Sequence, residues 1–209
     1  MTPTRLAAKR CLDLLVAVPM LVVCAVPLGV AALCIKAEDG GPVFFRQVRV
    51  GRGGQPFRVW KFRTMTVMQI DPQGPDRMSH DDRRITRVGR FLRNLGLDEL
   101  PQLLNVLAGE MSLVGPRPTL AYQVEHYDEF ERRRLEVKPG ITSLAVVSGR
   151  NALSWKERIE LDVWYVDHGS LGLDLRVLFQ TLWKVLVTRE GLYGPDGVND
   201  PFVEPRDPL

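Results

Sequence analysis

CLDLLVAVPMLVVCAVPLGVAALCI, residues 11–35, is the stretch that decides the architecture. It is almost unbroken in Leu, Val, Ala, Cys and Met, and it is long enough to match the ~20 residues with which an α-helix crosses a bilayer. This part of the chain is therefore expected to enter a membrane. It is too long for the apolar region of a secretory signal, and no small-x-small site ends it before Lys36, so the anchor is expected to stay on the mature protein. Pro19 and Pro27 stand inside it. Each removes a backbone donor and crowds the preceding turn, which predicts a bent or broken helix in place of a straight rod. The flanks carry one sign of charge, with Arg5, Lys9 and Arg10 before the stretch and Lys36, Arg46, Arg49, Arg52, Arg58, Lys61 and Arg63 after it. Cations near membrane ends prefer the cytoplasmic side. A helix that enters one leaflet, breaks at proline and returns satisfies both ends, which favours a re-entrant helix over a spanning one. Asp13 lies near the start of the stretch, at headgroup depth, and is expected to pair with Arg10 or Lys9.

The composition bounds the rest. A chain of 209 residues can bury one ordinary core, and 45% hydrophobic with 25% charged residues excludes both a disordered chain and one with many spans. A net charge of +3 leaves no dominant footprint for nucleic acid, so no nucleic-acid partner is expected. Cys11, Cys24 and Cys34 all fall in the apolar stretch without zinc or disulfide spacing, and they read as small apolar side chains. His80, His126 and His168 are isolated and receive no role.

Beyond Lys36, GPVFFRQVRVGRGGQPFRVWKFRTM (residues 41–65) alternates bulky and cationic residues around a Gly-rich turn and predicts a β-hairpin with a basic face, part of it turned to lipid headgroups. Thr66–Asp82 reads as a long surface loop. Arg84–Leu95 places Ile85, Val88, Phe91, Leu92 and Leu95 at helical spacing among arginines, an amphipathic basic helix suited to an anionic membrane surface. Further helices are expected over Asp98–Leu107, Leu120–Val137, Leu153–Asp167 and Leu171–Thr188. Trp155, Trp164, Tyr165 and Trp183 on the last two suit a membrane interface or a core equally. The expected fold is α+β and mostly α-helical. Its three segments are a membrane helix at 1–36, a folded unit at 37–190 and an extended tail at 191–209.

Chemistry concentrates after residue 96. Leu97-Asp98-Glu99-Leu100-Pro101 opens a helix, with Asp98 suited to the N-cap and Glu99 to the positive end of the dipole. Structural roles of that kind explain the pair alone about as well as catalysis does. Downstream, Gly115-Pro116-Arg117-Pro118 holds an arginine between two prolines, which presents a guanidinium at little entropic cost. Lys138-Pro139-Gly140-Ile141-Thr142 and Gly149-Arg150-Asn151 add loops with donors for phosphate, sugar or base. Paired carboxylates among several cations suit phosphoryl transfer, where charge must be neutralised while a nucleophile is held in line, and a magnesium ion could bridge carboxylate and diphosphate.

The ordered blocks KRCLDL, GPVFFRQVRVG, FRVWKFRTM, RITRVGRFLR, LDELPQLLNVLAGEMSLVGPRP, KPGIT and GRNALSWKERIELDVWYV make the chain resemble the bacterial sugar transferases, the monotopic phosphoglycosyl transferases, from about Lys9 to about Val187. The resemblance implies a catalytic domain on the cytoplasmic face of the bacterial inner membrane, held by a re-entrant helix-break-helix. It implies that Asp98 attacks the β-phosphorus of a UDP-sugar with Mg2+ present, that UMP leaves, and that polyprenyl phosphate then takes the phosphosugar. Glu99 matches the second member of the dyad, as a metal ligand beside Asp98 or as its support. Lys61, Arg93 and Arg117 are carried across as phosphate-side residues, and Arg63 and Arg150 complete the expected substrate-binding set. The expected partners are the UDP-sugar, the polyprenyl phosphate and membrane lipid, with a homodimer as an open assembly. Family members often have serine before the helix-breaking proline, whereas Val26 precedes Pro27 here, so the place of the break is left open. A catalytically silent scaffold for glycan assembly is the alternative reading. No residue selects one hexose over another.

Overall fold

A helix of 37 residues, α1 (Pro3–Asp39), opens the chain. The computed structural model describes residues 3–66, 84–149 and 152–188. Both Pro19 and Pro27 lie inside α1, and the helix continues through them instead of ending, since each proline forfeits one hydrogen bond while neighbouring turns keep theirs. The helix also runs past Lys36, where the membrane segment was expected to stop. Its middle is bare: Leu15, Val22, Val23, Val26 and Leu33 are 71 to 78% exposed. A helix at the heart of a soluble domain would cover such a surface, and only 6% of the most apolar window of α1 is covered by protein.

The two ends of α1 are fastened to the folded unit. Asp13 does not pair with Arg10 or Lys9. Its Oδ1 accepts hydrogen bonds from Ser112 Oγ and Leu113 N, each at 2.9 Å. Lys9 instead donates to Asp174 at 2.9 Å, and Arg10 donates to the carbonyls of Val106 and Leu107 at 2.5 and 2.8 Å. Those carbonyls close a short helix, where a cation is favoured. At the far end Arg63 forks onto Asp39 and donates to Pro42 O at 2.5 Å.

The hairpin forms as the alternation predicts. Strands β1 (Phe44–Val50) and β2 (Pro56–Phe62) pair antiparallel from Phe44↔Phe62 to Val50↔Pro56. Gln47, Arg49, Phe57 and Val59 point inward, and Phe44, Arg46 and Arg58 point out. Helix α2 (Arg87–Leu95) starts at Thr86, whose side chain accepts from Gly89 N, and ends at Gly96 with φ 68°. Its polarity departs from the simple amphipathic pattern: Arg93 is buried while Phe91 is 61% exposed. A 3-10 turn (Leu97–Gln102) and α3 (Leu103–Ala108) follow. Strand β3 (Ser112–Val114) pairs parallel with β4 (Gly140–Thr142), so the Lys138–Thr142 stretch read as a loop is partly strand. The charged helix expected over Leu120–Val137 is three short pieces: α4 (Ala121–Glu125), α5 (Glu129–Arg132) and a 3-10 turn (Arg133–Glu136). Asp128 restarts the chain with a capping box to Glu131, which is why a continuous periodic stretch still breaks.

Helices α6 (Leu144–Ser148), α7 (Trp155–His168) and α8 (Leu171–Trp183) close the unit, and α8 passes into a π-helical turn, Lys184–Thr188. Tyr165 is core, while Trp164 and Trp183 are about half exposed. Leu175, Phe179 and Leu182 form an outward apolar stripe on α8 of the kind an interfacial helix carries. The loop expected at Thr66–Asp82 falls almost entirely, and the tail from Gly191 entirely, outside the described residues. The main core joins Ala17 of α1, Phe57 and Val59 of β2, Leu103 and Val106 of α3, and Val114, Tyr165 and Val177.

Asn105 ties α3 to the hairpin. It is fully buried, accepts from Trp60 N at 2.9 Å, and donates to Arg58 O at 2.8 Å and to Glu110 Oε2 at 2.7 Å. Asn105→Leu strips two backbone groups of β2 of their partners, at ~1–3 kcal/mol each. The expected loss is about 2–6 kcal/mol in urea unfolding of detergent-solubilised protein. A loss below about 1 kcal/mol would show that β2 finds other partners.

Candidate active site

The left-handed Gly96 turns the chain sharply from α2 into the 3-10 turn Leu97–Gln102, and this turn carries Asp98 and Glu99 inward, to 2% and 4% exposure. Asp98 is thus not the N-cap its position suggested. Gly96 holds that place and makes no side-chain cap. β2 lies along the same turn and sets Lys61 Nζ 3.2 Å from Glu99 Oε1. From the Gly115–Pro118 loop Arg117 forks onto the same carboxylate, Nη2 to Oε1 at 2.6 Å and Nη1 to Oε2 at 3.3 Å. Burial alone pushes the Glu99 carboxyl up, but Arg117 and Lys61 together outweigh it and hold it below the usual carboxylate range. Glu99 therefore stays ionised at any pH near neutral.

The two cations differ in exposure. The Arg117 side chain is 46% exposed against 15% for Lys61, and Glu99 beneath them is 5% exposed, so Arg117 spans from a buried anion to solvent. Such a group can meet an incoming phosphate while remaining anchored. Its loop is kept close to β4 by two glycines. Gly115 N donates to Thr142 O at 3.0 Å and Gly140 N to Pro116 O at 2.9 Å.

Of the residues expected at the site, Lys61, Glu99 and Arg117 come together, with Asp98 next to Glu99 in the same turn. Arg93 is buried on α2, which packs on the Leu97–Gln102 turn. Arg63 is not brought to the dyad. It is 2% exposed, and its donors go to Asp39, Pro42 O and Met65 O, where it locks the end of α1. Arg150 lies outside the described residues. Asn105 and the buried pair Arg134–Asp162 escaped the sequence reading. Arg134 and Asp162 sit among charges that look like solvated faces, and only the third dimension reveals that they meet.

Among the described residues no three His, Cys, Asp or Glu side chains cluster as a metal cage. Two adjacent carboxylates nevertheless suit magnesium, which takes one or two protein carboxylates and fills its other positions with substrate phosphate oxygens and water. Asp98 and Glu99, adjacent in the Leu97–Gln102 turn, are a donor pair of that kind, with both Glu99 oxygens also accepting from Lys61 or Arg117.

Comparison with known proteins adds three relatives and a family. Residues 4–188 match the family model described as bacterial sugar transferase. The chain is 50% identical over 184 residues to an uncharacterized sugar transferase, EpsL of Bacillus subtilis, covering 88% of this chain and 89% of that protein. It is 42% identical to a UDP-glucose:undecaprenyl-phosphate glucose-1-phosphate transferase of Klebsiella pneumoniae, over 87% of this chain and 40% of that protein. It is 40% identical to an undecaprenyl-phosphate galactose phosphotransferase of Salmonella typhimurium, over 88% of this chain and 41% of that protein. The chain thus spans most of the first relative and about two fifths of the other two.

Proposed function

Because this chain belongs to the bacterial sugar transferase family, we propose that it transfers a sugar-1-phosphate from a UDP-sugar to undecaprenyl or another polyprenyl phosphate, through a covalent aspartyl intermediate. The observation that carries this reading is the buried Asp98–Glu99 pair, whose Glu99 is clasped by Lys61 and by the half-open Arg117.

In the first step a carboxylate oxygen of Asp98 attacks the β-phosphorus. An Asp–O–P bond forms, the P–O bond to the α-phosphate breaks, and UMP departs with the bonding pair. In the second step an oxygen of polyprenyl phosphate attacks the same phosphorus, and the Asp98 carboxylate is released unchanged. Arg117 and Lys61 hold the diphosphate oxygens and keep Glu99 ionised beside the nucleophile. Asp98 and Glu99 would hold magnesium together with the diphosphate, and the ion would neutralise charge on the phosphoryl oxygens. The bare surface of α1 fits a helix lodged in one leaflet of the cytoplasmic membrane, bent at Pro19 or Pro27 so that both basic flanks stay at the cytoplasmic face. The covalent step has its own assay. Enzyme given UDP-sugar and labelled UMP, with no lipid acceptor, is expected to return label into UDP-sugar. Exchange that appears only when the acceptor is present would favour direct transfer instead.

The clasp also predicts a pH effect. Removing the Arg117 charge leaves Lys61 alone to oppose burial, so the Glu99 carboxyl rises from its depressed value and takes up a proton at higher pH than in wild type as the solution is acidified. In Arg117→Gln the acid limb of kcat/KM is expected to move to higher pH than in wild type. An acid limb in the same place would remove Glu99 ionisation from the mechanism.

A further inference from the structure

The Gly115–Pro118 loop carries Arg117 between two residues that have no N–H, so it has few donors with which to fix its own shape. Its carbonyls are held from outside. Gly140 N donates to Pro116 O at 2.9 Å, Arg134 Nη2 to Arg117 O at 3.1 Å, and Arg49 Nη1 to Pro118 O at 3.5 Å. The middle hold is the one on Arg117 itself, and it comes from a side chain only 5% exposed.

Arg134 is oriented by partners from separate elements. Its Nη1 donates to the Tyr127 hydroxyl at 2.7 Å, its Nη2 also meets Asp162 on α7, and its guanidinium stands 5.7 Å from the Tyr127 ring centre and 5.9 Å from that of Trp155. A buried ion pair gives little net stability over a well-packed apolar replacement. What an arginine adds here is a rigid fork of donors whose directions are fixed. We infer that Arg134, aimed by Asp162 and Tyr127, is a positioning residue: through the Arg117 carbonyl it sets where the Arg117 guanidinium stands between Glu99 and an incoming diphosphate. The inference rests on the proposed role of Arg117 in binding phosphate.

A double-mutant cycle on the full-length protein in membranes tests it, with UMP release from UDP-sugar as the readout and thermal unfolding as the check on folding. Arg134→Lys keeps a cation for Asp162 but cannot also reach the Tyr127 hydroxyl and the Arg117 carbonyl. It is expected to lower kcat/KM for the UDP-sugar by about ten- to a hundredfold, chiefly through KM. In an Arg117→Ala background the same change is expected to cost almost nothing further, because the group it positions is gone. If Arg134→Lys is too unstable to assay, Tyr127→Phe, which removes one orienting acceptor, enters the same cycle with a smaller expected loss. An equal loss in both backgrounds would overturn the inference and leave Arg134 a stabilising residue only, as would wild-type kinetics in the Arg134 or Tyr127 variant. Wild-type kinetics in Arg117→Ala alone would instead overturn the role proposed for Arg117.

Discussion

Asp98→Asn is expected to reduce UMP release by at least about a thousandfold and to abolish the exchange of labelled UMP into UDP-sugar, with little change in thermal stability. An amide is nearly the same size as a carboxylate, so the buried turn Leu97–Gln102 can keep its shape, but a neutral amide neither attacks phosphorus nor leaves from it. Loss of a covalent nucleophile removes a whole reaction path, and effects of that kind run far beyond those of a lost contact. The donor should still bind, since Lys61, Glu99 and Arg117 are untouched. In cells the same variant separates catalysis from the scaffold alternative. A cellular glycan lost in Asp98→Asn supports catalysis, and an unchanged glycan supports a scaffold.

Gly140→Ala should have the largest effect on folding. A Cβ at this position would stand 2.2 Å from Gly115 N, 2.4 Å from Thr142 O and 2.6 Å from Gly115 O, all of them backbone atoms that no rotamer change can move aside. The cost arises from space, because Gly140 is not among the glycines with positive φ. Accommodating the methyl group means parting β4 from the Gly115–Pro118 loop, which breaks the Gly140 N to Pro116 O bond and lets Arg117 swing away from Glu99. A loss of ~3 kcal/mol or more is expected, roughly a 10 °C fall in Tm for a domain of this size, together with loss of activity. Gly29→Ala is the matched control. Nothing lies within 4 Å of its added Cβ on the bare surface of α1, so it should be neutral or slightly stabilising. If Gly140→Ala melts with wild type, the close approach of β4 to the Arg117 loop is not as tight as described.

Local features of this molecule were legible in its sequence. The alternation of residues 44–62 around Gly51–Gly54 forms a hairpin, because period-two burial and a turn that needs positive φ at Gly53 and Gly54 are both written in neighbouring residues. The apolar run forms a helix for the same reason. The two prolines around Arg117 marked a guanidinium held ready, but that it forks onto Glu99 is seen only in the fold. What escaped was long-range pairing, which leaves no periodic trace. Asp13 reaches Ser112 and Leu113, 99 and 100 positions away, and Lys9 reaches Asp174, 165 away, so nearest-neighbour charge pairing chose the wrong partners for Asp13. Arg63 stands two residues from Lys61, where strand alternation would put both on one face, yet it lies just past the end of β2 and its guanidinium goes to Asp39 at the end of α1, not to the dyad. The parallel pair β3–β4 holds only three residues on each side, too short for a pattern to emerge.

The covalent role of Asp98 is the centre of this account, and mass spectrometry of the intact protein tests it most directly. Enzyme mixed with magnesium and UDP-sugar in the absence of lipid acceptor, then quenched and mapped by peptide, is expected to gain the mass of one phosphosugar on the peptide containing Asp98. The adduct should disappear when polyprenyl phosphate is added, and it should never form in Asp98→Asn. A phosphosugar found on another residue, or one formed equally by Asp98→Asn, would contradict the assignment of Asp98 as the nucleophile.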